Sequence, residues 1–290
     1  MKKPFELLRL MRPHQWVKNG FVFTGLLFGH AWHNPHLFAH VMIAFVAFCL
    51  VSSAIYTVND IVDLEQDKQH PKKSGRPLAS GQVSISAAVM LALLLATSGL
   101  FLASRVSTTV LIILVGYALM NIAYSLWLKH VVILDVFIIA TGFMLRILAG
   151  TLGVGIPPSQ WLLLCGLMVT LFLGFTKRRA EIIALNEDKT SHRKVLEHYG
   201  PVLLDKMIGV TAAGLIMSYS LYTMSADTIR IHGTPNLIYT VPFVMYGVFR
   251  YIYLLHHQNR GGDTAHDLVR DPHLIIVVGA WAVATFLLIA

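Results

Sequence analysis

Apolar stretches of membrane-spanning length recur along almost the whole chain. A hydrocarbon layer about 30 Å thick requires roughly 20 apolar residues for each helical crossing. Nine apolar windows lie at residues 20–33, 38–58, 83–103, 109–128, 131–152, 160–176, 207–226, 237–256 and 273–290. With 56% hydrophobic and 13% charged residues, the chain has the composition of a membrane protein and not of a soluble domain. The sequence therefore predicts an all-α, polytopic membrane protein with nine transmembrane helices.

Lys and Arg residues are distributed unequally between the loops that join these windows. If the N-terminus is cytoplasmic, the loops on that side hold almost all of the basic residues, whereas the opposite loops hold only Arg105 and Arg230. Cytoplasmic loops are typically enriched in Lys and Arg. The pattern predicts an inner (plasma) membrane protein with a cytoplasmic N-terminus, and it explains the net charge of +8 without nucleic-acid binding.

A cluster of charge, YTVNDIVDLEQDKQHPKKSGRP at residues 56–77, directly follows the second apolar window. Within it, Asn59, Asp63 and Asp67 are spaced i, i+4 and i+8, which places them on one face of an α-helix. Magnesium prefers one or two carboxylates together with phosphate oxygens and water. This spacing predicts a Mg²⁺-dependent diphosphate site with Asn59, Asp63 and Asp67 as catalytic and metal-binding residues, and with Asp60 close enough to assist.

An alternative interpretation treats the same segment as a solvated loop. Its carboxylates would then pair with Lys68, Lys72 and Lys73. The position at the mouth of a membrane bundle argues against this alternative, because neighbouring carboxylates repel one another there unless a cation joins them.

The segment NDIVDLEQDKQHPKKSGRPLASG resembles the first aspartate-rich motif of the UbiA superfamily of intramembrane prenyltransferases. The resemblance includes the Lys-x-x-Arg-Pro pattern that follows the motif, here Lys73, Arg76 and Pro77. Nine crossings, with this motif after the second helix, also match the family. The resemblance implies a single domain, residues 1–290, in which the helices bundle around a central cavity and Mg²⁺ is the cofactor.

A second segment departs from the pattern of the prenyl-transferring members, which carry another aspartate-rich motif after the sixth helix. Here that loop reads GFTKRRAEIIALNEDKTSHRKVLEHY and is cationic. Arg and Lys side chains bind phosphate oxygens directly, so this loop suits a second anionic substrate. Together with RPHQWVKN and YSLWLKHVVILDVF, it resembles the branch that transfers a phosphoribosyl group to a polyprenyl phosphate.

The resemblance implies roles for individual residues. Asn59, Asp63 and Asp67 would hold Mg²⁺ and the diphosphate of phosphoribosyl diphosphate, while Lys73 and Arg76 would bind the phosphates of that donor. The other substrate-binding candidates are Tyr124, Lys129, Asp135, Lys177, Arg178 and Glu181. For Asp135, contact with metal or sugar and a structural ion pair stay open as alternatives.

These residues imply a polyprenyl-phosphate phosphoribosyltransferase that works in the bilayer on a soluble donor and a lipid acceptor. One alternative is an aromatic prenyltransferase that uses a prenyl diphosphate as donor. An alternative of another class is an anion transporter, which would use the same basic loops without breaking a bond. The sequence leaves the isoprenoid length and the oligomeric state open, a homo-oligomer included.

Overall fold

The computed structural model describes residues 3–70, 73–187, 199–257 and 270–289, and within these ranges the regular structure is helical throughout. The α-helices are α1 (Lys3–Met11), α2 (Thr24–Phe28), α3 (Pro35–Val62), α4 (Leu64–Gln69), α5 (Ile85–Val106), α6 (Thr108–Leu126), α7 (Leu134–Gly150), α8 (Gln160–Glu187), α9 (Pro201–Met224), α10 (Ala226–His232), α11 (Val241–His257) and α12 (Pro272–Ile289). Short 3₁₀ helices cover Pro13–Phe23, Leu128–His130, Leu152–Val154 and Asn236–Thr240. The predicted all-α class is confirmed.

Eight helices in the described ranges are long and apolar enough to cross a membrane. They are Pro35–Val62, Ile85–Val106, Thr108–Leu126, Leu134–Val154, Gln160–Ile183, Pro201–Met224, Asn236–His257 and Pro272–Ile289. The chain is thus a multi-pass membrane protein, as its composition predicts.

The predicted count of nine crossings is not confirmed, because the first window does not form one long helix. Residues 20–33 divide between the 3₁₀ helix Pro13–Phe23, the five-residue α2 and a turn in which His30 has a φ of 51°. Pro35 then begins α3, and the side chain of Asn34 caps this helix by accepting hydrogen bonds from two backbone N–H groups.

The chain divides into two compact units. The first unit comprises residues 1–129 and 142–158, and the second comprises residues 130–141 and 159–290. The single domain predicted for residues 1–290 stays a prediction.

In the first unit, α3 and α5 pack closely because small residues line their contact. Ala44, Ala47 and Ala103 are fully buried, and a Cβ added at Gly99 would lie 2.7 Å from a methyl carbon of Val51. Small residues let helix backbones approach, and this close packing is a main source of helix association in membranes. The pair therefore forms a rigid support for the C-terminal end of α3.

Arg146 ties the N-terminal part of the first unit together. It lies in α7 and is 5% exposed, and its Nε donates to Asn19 Oδ1 at 2.8 Å. Nη1 donates to the carbonyl oxygen of Gly142 at 2.7 Å and Nη2 to the hydroxyl of Tyr117 at 2.8 Å. A charged side chain within a membrane span is costly unless neighbouring groups satisfy it. These bonds fix the 3₁₀ helix Pro13–Phe23, which carries Asn19, against α6 and α7.

In the second unit, α8 and α9 form the main helix pair. Their contact is close, since a Cβ added at Gly214 would lie 2.7 Å from the sulfur of Met168. Buried apolar side chains from α8, α9, α11 and α12 form the core, and they include Phe172, Leu204, Leu254 and Leu274.

We expect Gly150→Ala to destabilise the fold, because the backbones of α7 and the 3₁₀ helix touch there. A Cβ at Gly150 would lie 1.7 Å from the carbonyl oxygen of Val22, and backbone atoms cannot move aside as a flexible side chain would. The expected loss is about 1–3 kcal/mol, measured as a lower midpoint of thermal unfolding in detergent. The control is Gly116→Ala in α6, where a Cβ meets nothing within 4 Å. Equal midpoints for the two variants would contradict this account.

Candidate active site

The aspartate-rich segment spans a break between two helices. α3 ends at Val62, and Asp63 caps it with φ −90° and ψ 8° before α4 begins at Leu64. The backbone N–H of Asp63 still bonds to the carbonyl of Asn59, and that of Asp67 to the carbonyl of Asp63. The predicted single face on one continuous helix is therefore replaced by two short faces on either side of Asp63.

Asn59 and Asp63 face the end of α6 and the residues that follow it. Ser125 Oγ donates to Asn59 Oδ1 at 2.6 Å, and Lys129 Nζ lies 3.3 Å from Asp63 Oδ1. Asn59 and Asp63 are four residues apart, and so are Ser125 and Lys129. Two contacts with the same spacing therefore join the end of α3 to the end of α6 and the residues after it. Lys129, a predicted phosphate ligand, thus lies beside the acidic motif, while Tyr124 is partly buried next to Ser125 in the sequence. The substrate contacts of both residues stay predictions.

Asp60 and Asp67 form a second pair, and both side chains are 3% exposed. Arg76 Nη1 donates to Asp60 Oδ1 at 3.1 Å, and the same nitrogen also contacts Asp67 Oδ2. Arg12 Nη2 contacts Asp60 Oδ1 as well, and Lys73 Nζ lies 3.9 Å from Asp67 Oδ1. Buried carboxylates are costly unless cations and hydrogen bonds satisfy them. Asp60, predicted only to assist, is thus as closely bound into the site as Asp67.

The alternative interpretation, in which lysines neutralise the motif, holds only in part. Lys73 lies near Asp67, but Lys68 pairs with Glu65 on the surface, and Lys72 lies outside the described residues. Arginines and not lysines make the close contacts with the buried carboxylates.

Arg12 was not among the predicted site residues, although RPHQWVKN contained a usable signal. Arg12, Trp16 and Asn19 follow one another at intervals of four and three residues, and each contacts α3. Their partners on α3 are Asp60 for Arg12, Ser53 for Trp16 and Ser52 for Asn19. The segment therefore packs along one side of α3 and delivers a guanidinium to its end.

A cavity of about 640 Å³ lies beside Asp60, and we call it the N-terminal cavity. Its charged and ionisable lining residues are Arg9, Arg12, His14, Asp60 and Arg76. Its three arginines also contact the carboxylates of Glu6, Asp60 and Asp67, and their guanidinium groups are of the kind that binds anions.

In the second unit, Asp135 is fully buried and paired. Arg178 Nε donates to Asp135 Oδ2 at 2.8 Å, and the hydroxyl of Tyr199 donates to Asp135 Oδ1 at 2.7 Å. Arg178 Nη1 donates to Glu181 Oε2 at 2.6 Å. Of the two alternatives for Asp135, the structure shows the ion pair, so Arg178 and Glu181 are held by a structural contact. Any contact of these residues with substrate stays a prediction.

Tyr199 also supports a strained turn. It accepts a hydrogen bond from the backbone N–H of Ile133 at 2.5 Å, and Ile133 has a φ of 70°, a conformation that β-branched residues rarely adopt. Burial, together with the hydrogen bond donated to Asp135, raises the pKa of Tyr199 above its ordinary value. The phenol therefore keeps its proton and continues to donate to Asp135.

The cationic loop predicted after the sixth apolar window is not a loop up to Glu187, because residues 174–187 continue α8. Arg179 contacts Asp205, while Lys177 is exposed and Arg193 and Lys194 lie outside the described residues. The described part of this segment therefore offers little unpaired positive charge.

The helical fold and the aspartate-rich site agree with a comparison against protein families. The model of the UbiA prenyltransferase family matches residues 20–267. The chain belongs to this family and is a membrane-embedded transferase.

Individual relatives narrow the comparison. The chain is 36% identical over 225 residues to the decaprenyl-phosphate phosphoribosyltransferase of Mycolicibacterium smegmatis, which covers 76% of this chain and 71% of the relative. It is 34% identical over 280 residues to the enzyme of the same name from Corynebacterium glutamicum. This match covers 95% of this chain and 84% of the relative. A solved UbiA homolog from Archaeoglobus fulgidus, bound to DMAPP and Mg²⁺, matches with a TM-score of 0.72 at 16% identity, over 98% of this chain and 99% of that one. This last likeness shows the fold alone.

We expect Arg178→Gln to destabilise the protein strongly, because it leaves the buried carboxylate of Asp135 without its cation. Removing one partner of a buried pair costs about 3–5 kcal/mol. The neighbouring Lys177→Gln changes an exposed side chain and should alter the free energy of unfolding by less than about 0.5 kcal/mol. Thermal unfolding in detergent measures both, and similar midpoints would show that Arg178 is not a structural residue.

Proposed function

We propose that the protein transfers the 5-phosphoribosyl group of phosphoribosyl diphosphate to a polyprenyl phosphate in a Mg²⁺-dependent reaction. The products would be polyprenyl-phosphoryl-ribose 5-phosphate and diphosphate. The relatives in the family that carry this activity in their names support the reaction. The observation that carries it is the pair of buried carboxylates, Asp60 and Asp67, that share one guanidinium nitrogen at the end of a membrane span.

The acidic motif suits a magnesium ion. The described residues contain no ready group of three or more His, Cys, Asp or Glu side chains around a common point. However, Asp60 and Asp67 both reach a single cationic nitrogen of Arg76, so their oxygens lie close enough to share one cation. Asn59 and Asp63 supply further oxygens of the kind that Mg²⁺ prefers. When bound, the ion would neutralise the charge of the departing diphosphate.

The basic side chains around the motif would bind and orient the donor. Arg76 and Lys73 already contact Asp67, so a phosphate beside that carboxylate lies within their reach. Lys129 is held at Asp63 and is 21% exposed, which leaves its ammonium available to an anion. Hydrogen-bonding groups of the protein that are fixed in place before the reaction stabilise the developing charge without reorganising.

The acceptor needs no strong general base, because a phosphate monoester is already an anion at neutral pH. Holding the two reactants in line can supply much of the acceleration. The site lies at the polar end of α3, an apolar span, which suits an isoprenoid tail in the bilayer and a donor from water. We place the N-terminus and this site on the cytoplasmic side of the plasma membrane, since the basic residues gather there.

The test is incubation of the purified protein with labelled phosphoribosyl diphosphate and a polyprenyl phosphate, with and without Mg²⁺. A labelled lipid that forms only with the metal is the expected result. A parallel reaction contains a prenyl diphosphate and an aromatic acid. Prenylation of the aromatic acid, with no labelled lipid, would overturn the proposal in favour of an aromatic prenyltransferase.

Asp63→Asn should reduce turnover by about 10²-fold or more, because it removes one negative charge from the metal-binding and diphosphate-binding face. The fold should survive, since Asp63 is 34% exposed and its pair with Lys129 is partly solvated. The control is Asp227→Asn, at an exposed side chain paired with Arg230. Initial rates and thermal unfolding are measured on both. A folded Asp63→Asn protein with an unchanged rate would contradict the catalytic role of Asp63. If the unaltered protein releases no diphosphate, an anion transporter is favoured.

A further inference from the structure

We propose that the N-terminal cavity binds a phosphate monoester and that Arg12 is its principal ligand, assisted by Arg9. The identity of the phosphate rests on the proposed function, which supplies two monoesters: the 5-phosphate of the ribosyl donor and the phosphate of the lipid acceptor. Their shared chemistry is that of a terminal phosphate dianion.

The side chains that line the cavity suit such an anion. Arg9, Arg12 and Arg76 line it together with Asp60. Each guanidinium also contacts a carboxylate, Arg9 that of Glu6, Arg12 that of Asp60, and Arg76 those of Asp60 and Asp67, so a phosphate would use the N–H groups that these contacts leave over. The cavity volume of about 640 Å³ falls within the usual range for small-ligand sites.

The arginines near the C-terminal end of α8 are poorer ligands for the second phosphate. Arg178 contacts Asp135 and Glu181, and Arg179 contacts Asp205. The two side chains are only 3% and 10% exposed. The cavity arginines also contact carboxylates, but they are more accessible, with side-chain exposures of 46% for Arg9, 22% for Arg12 and 28% for Arg76.

Arg12, which lines the cavity, has an unusual backbone conformation. Its φ is 54° and its ψ is 60°, the left-handed region that non-glycine residues seldom occupy. Such strain persists only where the surroundings impose it, and it is frequent at functional sites. Here Ser53 Oγ donates to the carbonyl oxygen of Met11 at 2.8 Å, and Trp16 Nε1 donates to Ser53 Oγ at 2.9 Å. The residues on both sides of Arg12 are thereby fixed to α3.

The guanidinium of Arg12 has enough N–H donors to bind a second anion in addition to the carboxylate of Asp60. A guanidinium carries five N–H groups in a planar fork, and its geometry matches phosphate oxygens. The contact with Asp60 runs through Nη2 alone. The side chain is 22% exposed, so it faces the cavity while it remains attached to the acidic motif.

The first experiment measures binding without relying on activity. The full-length protein in detergent, without Mg²⁺, is titrated with inorganic phosphate against chloride of equal ionic strength, and the midpoint of thermal unfolding is followed. Phosphate should raise the midpoint of the unaltered protein, and Arg12→Gln should abolish this rise. Glutamine has the same branching at Cβ as arginine, so the backbone strain is retained and only the charged fork is lost.

Two further variants complete the binding experiment. Arg105→Gln makes the same change at an exposed position in α5, away from the cavity, and should keep the full phosphate effect. Arg9→Gln changes an exposed cavity residue that pairs with Glu6 on its own helix, so it should fold and weaken the phosphate effect. A rise in midpoint that is equal in Arg12→Gln, Arg9→Gln and the unaltered protein would overturn the proposal. If Arg12→Gln does not fold, Arg9→Gln is compared with the unaltered protein alone, and an equal rise in midpoint would overturn the proposal.

The second experiment identifies the phosphate and uses steady-state transfer kinetics. A KM for phosphoribosyl diphosphate that rises about tenfold or more in Arg12→Gln, with the KM for lipid unchanged, assigns the cavity to the donor. The reverse assigns it to the lipid acceptor. Arg12→Lys keeps the charge but not the fork and should restore part of the affinity. Unchanged KM values for both substrates would overturn the proposal. If the unaltered protein transfers no phosphoribosyl group, the proposed function fails while the phosphate titration still decides on the cavity.

Discussion

The burial of two carboxylates at the end of α3 is the constraint on which the candidate site depends. Asp60 and Asp67 are almost inaccessible to water, and two negative charges so close together require cations. Arg76 supplies one nitrogen to both, and Arg12 adds a second guanidinium to Asp60. The positions of the residues after α4 and of the N-terminal segment are therefore set by the need to neutralise the same pair.

The membrane-embedded part of the first unit supports this arrangement from the other side. The 3₁₀ helix Pro13–Phe23 is bonded to α3 through Trp16 and to the buried Arg146 through Asn19. Arg146 itself is satisfied by amide, hydroxyl and carbonyl groups, so it does not compete for the carboxylates of the site. Hydrogen bonds to membrane-spanning helices thus fix the backbone on both sides of Arg12, and each bond is stronger in an apolar environment than in water.

The second unit also buries a carboxylate, but its partners there are one arginine and one tyrosine. Asp135 is fully buried, and Arg178 and Tyr199 satisfy both of its oxygens. Charge that looks available for phosphate in the sequence is therefore used to stabilise the fold. Apolar packing maintains the helical fold, whereas a few charged contacts decide what can bind.

The sequence by itself determined the features that depend on local composition. Bilayer thickness fixes the length of an apolar span, so windows such as 38–58 and 109–128 predicted α3 and α6 closely. The acidic motif and its neighbours Lys73 and Arg76 were likewise evident from residue type. Only the tertiary structure decided that Asp60 and Asp67 share the guanidinium of Arg76, and that Arg12, 48 residues from Asp60, adds a second guanidinium. The spacing of residues along one helix predicts which side chains share a face. The partner that neutralises a buried charge depends on the packing between distant segments, which the sequence alone does not predict.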